Sequence, residues 1–192
     1  MDMSPMALLL TVCGVWVAAE ILIIVVKRSQ PGESRSEDRY SGIVLTISLA
    51  ISPFLGGLLS GFPPTKMQTS IQWYAFYGGI ALIVIGFAIR LAAIFTLRRY
   101  FTVDVAIAHD HKVIEHGLYG IVRHPSYLGS LISFFGLGLA FVNWLSLAIL
   151  IIGPAIGMAY RIRVEEKALT DALGDDYRAY SARTKRLIPG VF

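Results

Sequence analysis

Charge is scarce in this sequence. Asp, Glu, Lys and Arg make up 16% of the 192 residues, against 55% hydrophobic residues, whereas soluble domains average about 25% charged residues. A chain with so little polar surface cannot cover itself in water. This excludes an ordinary soluble domain and leaves a multi-pass membrane protein. Thiols are scarcer still. The single cysteine, Cys13, lies inside the first apolar run. One thiol excludes an internal disulfide framework and a cysteine-rich metal site, so Cys13 reads as a small core or lipid-facing residue. No Lys or Arg precedes the first apolar run, which argues against a cleaved signal peptide with its basic leading segment. Internal repeats and low-complexity tracts are also missing. Basic residues outnumber acidic ones, 17 to 13. They flank apolar runs, so membrane topology accounts for them and nucleic acid is not an expected partner.

What the chain does have is hydrophobic length. Runs at about 5–26, 42–60 and 71–97 reach the roughly 20 residues that cross a bilayer. Two shorter ones, at about 127–142 and 144–162, are separated only by Asn143-Trp144. That spacing predicts a tight helical hairpin with Trp144 at headgroup level. The expected fold is therefore all-α and polytopic, with about five transmembrane helices. Five spans gather 15 of the 17 Lys and Arg residues on one side, which makes that side cytoplasmic and places the N-terminus outside and the C-terminus inside. The linker 27–41 reads as solvated, and Gly61-Phe62-Pro63-Pro64 as an external turn. Over 161–182, Val164, Ala168, Leu169, Ala172 and Leu173 recur at helical spacing. They predict an amphipathic helix that continues the last span into the cytoplasm, broken at Gly174. Two regions follow: residues 1–100, with three N-terminal spans, and residues 101–192, with the polar linker, the hairpin and the tail helix.

Polar chemistry is concentrated in the second region. Segment 101–126 holds all four histidines, His109, His111, His116 and His124. The last span ends in Glu165-Glu166, and the tail carries Tyr177, Tyr180, Arg183 and Arg186. A hairpin sets its two cytoplasmic ends side by side, which brings Arg123-His124 near Arg161–Glu166. The histidine spacing fits no common zinc pattern, so no metal is expected. Each group also has a plainer reading. Glu165-Glu166 can be solvated or paired with Arg161 and Arg163. Arg183 and Arg186 can anchor lipid headgroups. Pro125 suits helix position N1 after His124, although a helix N-terminus also favours an anion. Glu20 and Arg90 lie inside apolar runs, where a charge costs about 2.5–3.5 kcal/mol on insertion scales; a mutual pair and a role in a substrate portal are both open.

Taken in order, His111-Lys112-Val113-Ile114, Gly117-Leu118-Tyr119, Arg123-His124-Pro125-Ser126-Tyr127 with Gly129, Glu165-Glu166, Gly174 with Tyr177, Tyr180 and Arg183, and Ile188-Pro189 resemble the isoprenylcysteine carboxyl methyltransferase family. The likeness covers about residues 90–190, and the compact chain resembles the prokaryotic branch. It implies an integral membrane enzyme that uses S-adenosyl-L-methionine and releases S-adenosyl-L-homocysteine. By matched position, the resemblance assigns His111, Lys112, Val113, Ile114, Gly117, Tyr119, Arg123, His124, Pro125, Ser126, Tyr127, Glu165 and Glu166 to the cofactor. It assigns Arg183 to the acceptor carboxylate, with Glu165 and Glu166 joining it in the catalytic set. It also implies a lipophilic small-molecule or prenylated acceptor that enters sideways from membrane lipid, with no obligate protein partner evident. Three other readings compete. A phospholipid N-methyltransferase needs a site for an amine, against which Arg183 argues. An NAD(P)H-dependent membrane reductase needs more spans and a site for extra phosphates. A non-enzymatic scaffold leaves the His, Tyr, Arg and Glu set without a purpose.

Overall fold

A polypeptide in lipid must satisfy its own backbone, and this chain does so with helices. The computed structural model describes residues 4–27, 34–35, 39–103, 106–107 and 112–189; His109 and His111 lie outside them. Among the described residues, six α-helices follow in order: α1 (Pro5–Val26), α2 (Arg39–Leu59), α3 (Thr69–Leu97), α4 (Pro125–Ala140), α5 (Trp144–Leu173) and α6 (Asp175–Arg183). By length and composition, four segments can cross a membrane: Pro5–Val26, Tyr40–Leu59, Thr69–Tyr100 and Trp144–Leu173. Helix α4 has 16 residues, about 24 Å at the helical rise, and falls short of that length by itself. The last apolar run and the amphipathic tail form one 30-residue rod, α5. It stops where expected, at Gly174, whose φ of 56° is a backbone state that glycine adopts without strain. The linker after α1 is not only solvent-facing chain. Ser34–Arg35 (β1) pairs antiparallel with Ala106–Ile107 (β2), tying the linker to the segment after α3.

Small residues set the packing. On α3, Gly79 and Gly86 are one heptad apart, as are Gly129 and Gly136 on α4. A Cβ on any of the four would run into backbone of the opposite helix, Gly79 against Gly136 and Gly86 against Gly129. With no hydrophobic drive between helices in lipid, such close backbone approach is what holds them together. Gly153 and Gly157 of α5 likewise receive the Ser52 and Ser48 hydroxyls of α2. Helix α4 is thereby enclosed, while α1 meets the bundle along a single stripe that includes Leu9 and Trp16, the latter edge-on to Phe134 at 5.3 Å. The rest of α1 shows apolar side chains outward, as a lipid-facing helix does.

The two far turns are joined. Asn143, fully buried, caps α5 by accepting from the Leu145 and Ser146 amides, and donates to the Ser60 and Phe62 carbonyls at 3.2 Å. Met67 N–H bonds to Val142 O at 3.1 Å. The α2–α3 and α4–α5 turns therefore share one end of the bundle. The charged residues of α5 begin at Arg161, about 27 Å further along the rod.

Candidate active site

At that other end the chain after α3 meets the start of α4, the end of α5 and α6. The Arg-His-Pro-Ser-Tyr segment is fixed by the tail. Val122 bridges Lys185 in parallel, and the Arg123 and His124 amides donate to the Lys185 and Arg186 carbonyls at 2.8 and 3.0 Å. Pro125 opens α4 at N1, where a missing N–H costs nothing. The Arg123 guanidinium donates to the Ser181 and Thr184 carbonyls at the end of α6, a favourable place for a cation. It also donates to Glu166 Oε1 at 2.9 Å. His124, 4% exposed, lies 3.3 Å from the same oxygen, and Arg186 donates to Oε2 at 2.9 Å. The hydrogen bond to Glu166 holds the Arg186 guanidinium above its usual pKa. Glu166 is thus the hub joining the α4 start to the tail.

Its neighbour does something else. Successive helical residues point about 100° apart, so Glu165 turns into a cleft instead. There Tyr127 Oη donates to Glu165 Oε2 at 2.9 Å. Of the residues expected at the cofactor, Lys112, Val113, Ile114, Tyr119, Arg123, His124, Ser126, Tyr127 and Glu165 line this cleft. Gly117, Pro125 and Glu166 are not among its lining residues, and His111 is outside the described residues. Arg183 is not in the lining either. It is 56% exposed and paired with Glu115, one residue beyond Ile114.

Several wall residues were not singled out as ligands by sequence, two tyrosines and an arginine among them. Tyr177 and Tyr180 of α6 reach in from the tail, and Arg161 lies one turn before Glu165 on α5. Tyr180 donates to the Tyr119 carbonyl at 2.8 Å. Burial pushes the Tyr180 phenol up to about 12, and raises Tyr119 and Tyr177 above the usual phenol range. All three are neutral at physiological pH and shape the cleft without charging it. Arg161 donates to Ser41 Oγ at 2.9 Å and to the Val103 carbonyl at 2.7 Å. Its Nε and the Tyr177 Oη are buried without a hydrogen-bond partner. The sequence offered Arg161 as a partner for the Glu165-Glu166 pair, since a cation and an acid four apart share a helix face; in the structure its hydrogen-bond partners are neutral instead.

Arg90 also reaches the cleft wall. It grips Glu20 of α1 through Nε at 2.7 Å and Nη2 at 2.9 Å, and gives Nη1 to Ser126 Oγ at 2.8 Å. Of the two readings left open for these intramembrane charges, the structure forms the pair.

A helical membrane bundle with a tyrosine-walled cleft of mixed polar and apolar lining at one end defines an integral-membrane protein with a site for a small molecule. The segment that builds most of it, residues 79–171, matches the isoprenylcysteine carboxyl methyltransferase (ICMT) family. The chain is 32% identical over 150 residues to a probable protein-S-isoprenylcysteine O-methyltransferase of Oryza sativa subsp. indica, covering 77% of this chain and 76% of that one. It is 33% identical over 132 residues to protein-S-isoprenylcysteine O-methyltransferase A of Arabidopsis thaliana, covering 68% and 65%. Its fold is similar to that of a eukaryotic intramembrane Ras methyltransferase, ICMT, with a TM-score of 0.68 at 23% identity, over 97% of this chain and 68% of that one. The chain belongs to the ICMT family and is a multi-pass membrane methyltransferase. The near-equal coverage of the rice chain shows that a compact length is shared with plant members.

Proposed function

We propose that this enzyme transfers a methyl group from S-adenosyl-L-methionine to the carboxylate of a lipophilic, isoprenylcysteine-type acceptor at the cytoplasmic membrane face. The observation that carries the reading is the cleft itself. It joins the family's polar segments in one wall and leaves two buried polar atoms, Arg161 Nε and Tyr177 Oη, unmatched by protein. A ligand with both apolar and polar parts suits such a wall, so the residues present fit this cofactor. When bound, it supplies the sulfonium-activated methyl group.

Lys112 to Ile114, Tyr119, Arg123, His124, Ser126, Tyr127 and Glu165 take cofactor-binding roles, with His111 preceding them in the chain. Gly117, Pro125 and Glu166 support that wall. Arg183 receives the acceptor carboxylate; in the present structure the Glu115 carboxylate holds that guanidinium, a group of the same chemistry. An acceptor carboxylate is already ionised at neutral pH. The protein therefore has no proton to remove. It aligns the reacting groups and excludes water. Helix α4 completes five spans, with the N-terminus outside and the cleft inside, as the 15 of 17 basic residues on one side support. Residues 1–100 form the membrane wall past which the prenyl tail enters, and 101–192 the catalytic region.

Calorimetry of the detergent-purified protein with S-adenosylhomocysteine and with NADPH tests the cofactor. Labelled methyl transfer to a small prenylated cysteine then tests the acceptor. Binding of S-adenosylhomocysteine alone and a base-labile methyl ester are the expected results. Binding of NADPH alone makes the chain a reductase and overturns the proposal.

A further inference from the structure

At the rim of the cleft a pair of opposite charges joins the segment before α4 to the tail. Glu115 follows the lining residue Ile114, and Arg183 comes one turn after the lining residue Tyr180. The two side chains form an ion pair, yet both stay open to solvent, Glu115 40% and Arg183 56% exposed. Besides burial, the Tyr180 phenol feels both charges, Glu115 raising and Arg183 lowering its pKa, so the pair stands against the cleft wall. The backbone at Glu115 is held in place. Its carbonyl packs on Gly120, where a Cβ would meet it at 2.9 Å. The carboxylate therefore stays beside Arg183. An exposed pair of this kind adds little to stability, so it can open for a ligand at little cost.

Resting on Arg183 as the grip for the acceptor carboxylate, we infer that Glu115 selects the acceptor by receiving an ammonium group on the carbon that bears that carboxylate. The preferred substrate is then a free lipophilic α-amino acid of the S-prenylcysteine kind. A chain-terminal residue, whose nitrogen is an amide, is disfavoured. An acceptor that is only a carboxylate puts a second negative charge beside Glu115, and like charges that close repel. One with an ammonium on the adjacent carbon brings Glu115 a donor with three N–H groups, and each charge of the ligand meets its opposite in the pair. Glu115 takes no part in the transfer itself. A lone pair of the carboxylate oxygen forms the new C–O bond, the C–S electron pair stays on sulfur, and no proton moves. The ester keeps its ammonium but has lost its negative charge, so Arg183 returns to Glu115 and the product is released.

Transfer of labelled methyl to S-farnesylcysteine and to N-acetyl-S-farnesylcysteine, on the detergent-purified protein, tests this. Wild type is expected to favour the free amino acid about 5- to 20-fold in kcat/KM, the size of one contact between exposed unit charges. Glu115→Gln is expected to abolish the preference, with a lower KM for the N-acetyl compound and a higher one for the free amino acid. Unchanged S-adenosylhomocysteine affinity shows that the variant is folded. Equal or reversed wild-type preference overturns the inference and leaves methyl transfer to a carboxylate standing. A preference that survives Glu115→Gln places selection elsewhere and overturns it too. If the substitution favours both acceptors alike, Glu115 competes for Arg183 and selects nothing. Methylation of neither compound, with S-adenosylhomocysteine bound, overturns the acceptor reading itself and the inference with it.

Discussion

Two carboxylates next to each other in the chain, Glu165 and Glu166, do separate work because one helical step turns them apart. Glu166 answers Arg123, His124 and Arg186, and its side chain is 13% exposed. Removing one member of such a buried cluster leaves charges uncompensated, at a cost of about 3 kcal/mol. Glu166→Gln is therefore expected to lower the thermal unfolding temperature in detergent clearly. Arg183 sits in an exposed pair with Glu115, and pairs of that kind contribute about 0–1 kcal/mol. Arg183→Ala is expected to leave stability and S-adenosylhomocysteine affinity unchanged and to raise the acceptor KM or abolish turnover; equal loss of S-adenosylhomocysteine affinity sinks its assignment to the acceptor. Residue identities around Arg123–Tyr127 were legible in the sequence because their types and order are distinctive. The division between Glu165 and Glu166 was not, since it depends on the phase of α5 against its neighbours. Nor was the pairing of Val122 with Lys185, which unites segments about 60 residues apart.

At the scale of helices, the apolar runs told where the elements lie. Observed ends at Leu59, Leu97 and Gly174 fall close to those expected from composition and turn residues. Facing was not legible, because a helix apolar all round has no stripe to show which side meets a partner. Gly78 and Gly79 make the point. In sequence they are equivalent, yet a Cβ on Gly78 meets open space and one on Gly79 meets the backbone of Gly136 and Ala140. Gly79→Ala is expected to destabilise the protein by about 1–3 kcal/mol through forced separation of α3 and α4. Gly78→Ala is expected to be neutral or to gain up to about 1 kcal/mol from helix propensity. Parallel unfolding curves of the two variants check this; equal effects would show that the α3–α4 contact is looser than described.

The whole molecule has two distinct ends. Asn143 and its partners close one, and the cleft with Glu166 closes the other. If α4 and α5 complete a five-span bundle, a membrane-impermeant thiol reagent labels a cysteine at Lys66 from the side opposite to one at Asp175, with Cys13 replaced beforehand. Labelling of both from the same side would remove α4 from the count of spans. Charge distribution gathers the charged groups of α5 and the tail at the cleft end; the docking of the tail against the start of α4 had no signature in hydropathy. That docking also sets an order of events in the cell. Tyr177 and Tyr180 are cleft wall, and the carbonyls that hold Arg123 and His124 belong to residues 181–186. A nascent chain can thread every apolar segment into the membrane and still have no cleft, because the stretch that closes it comes after them in the chain.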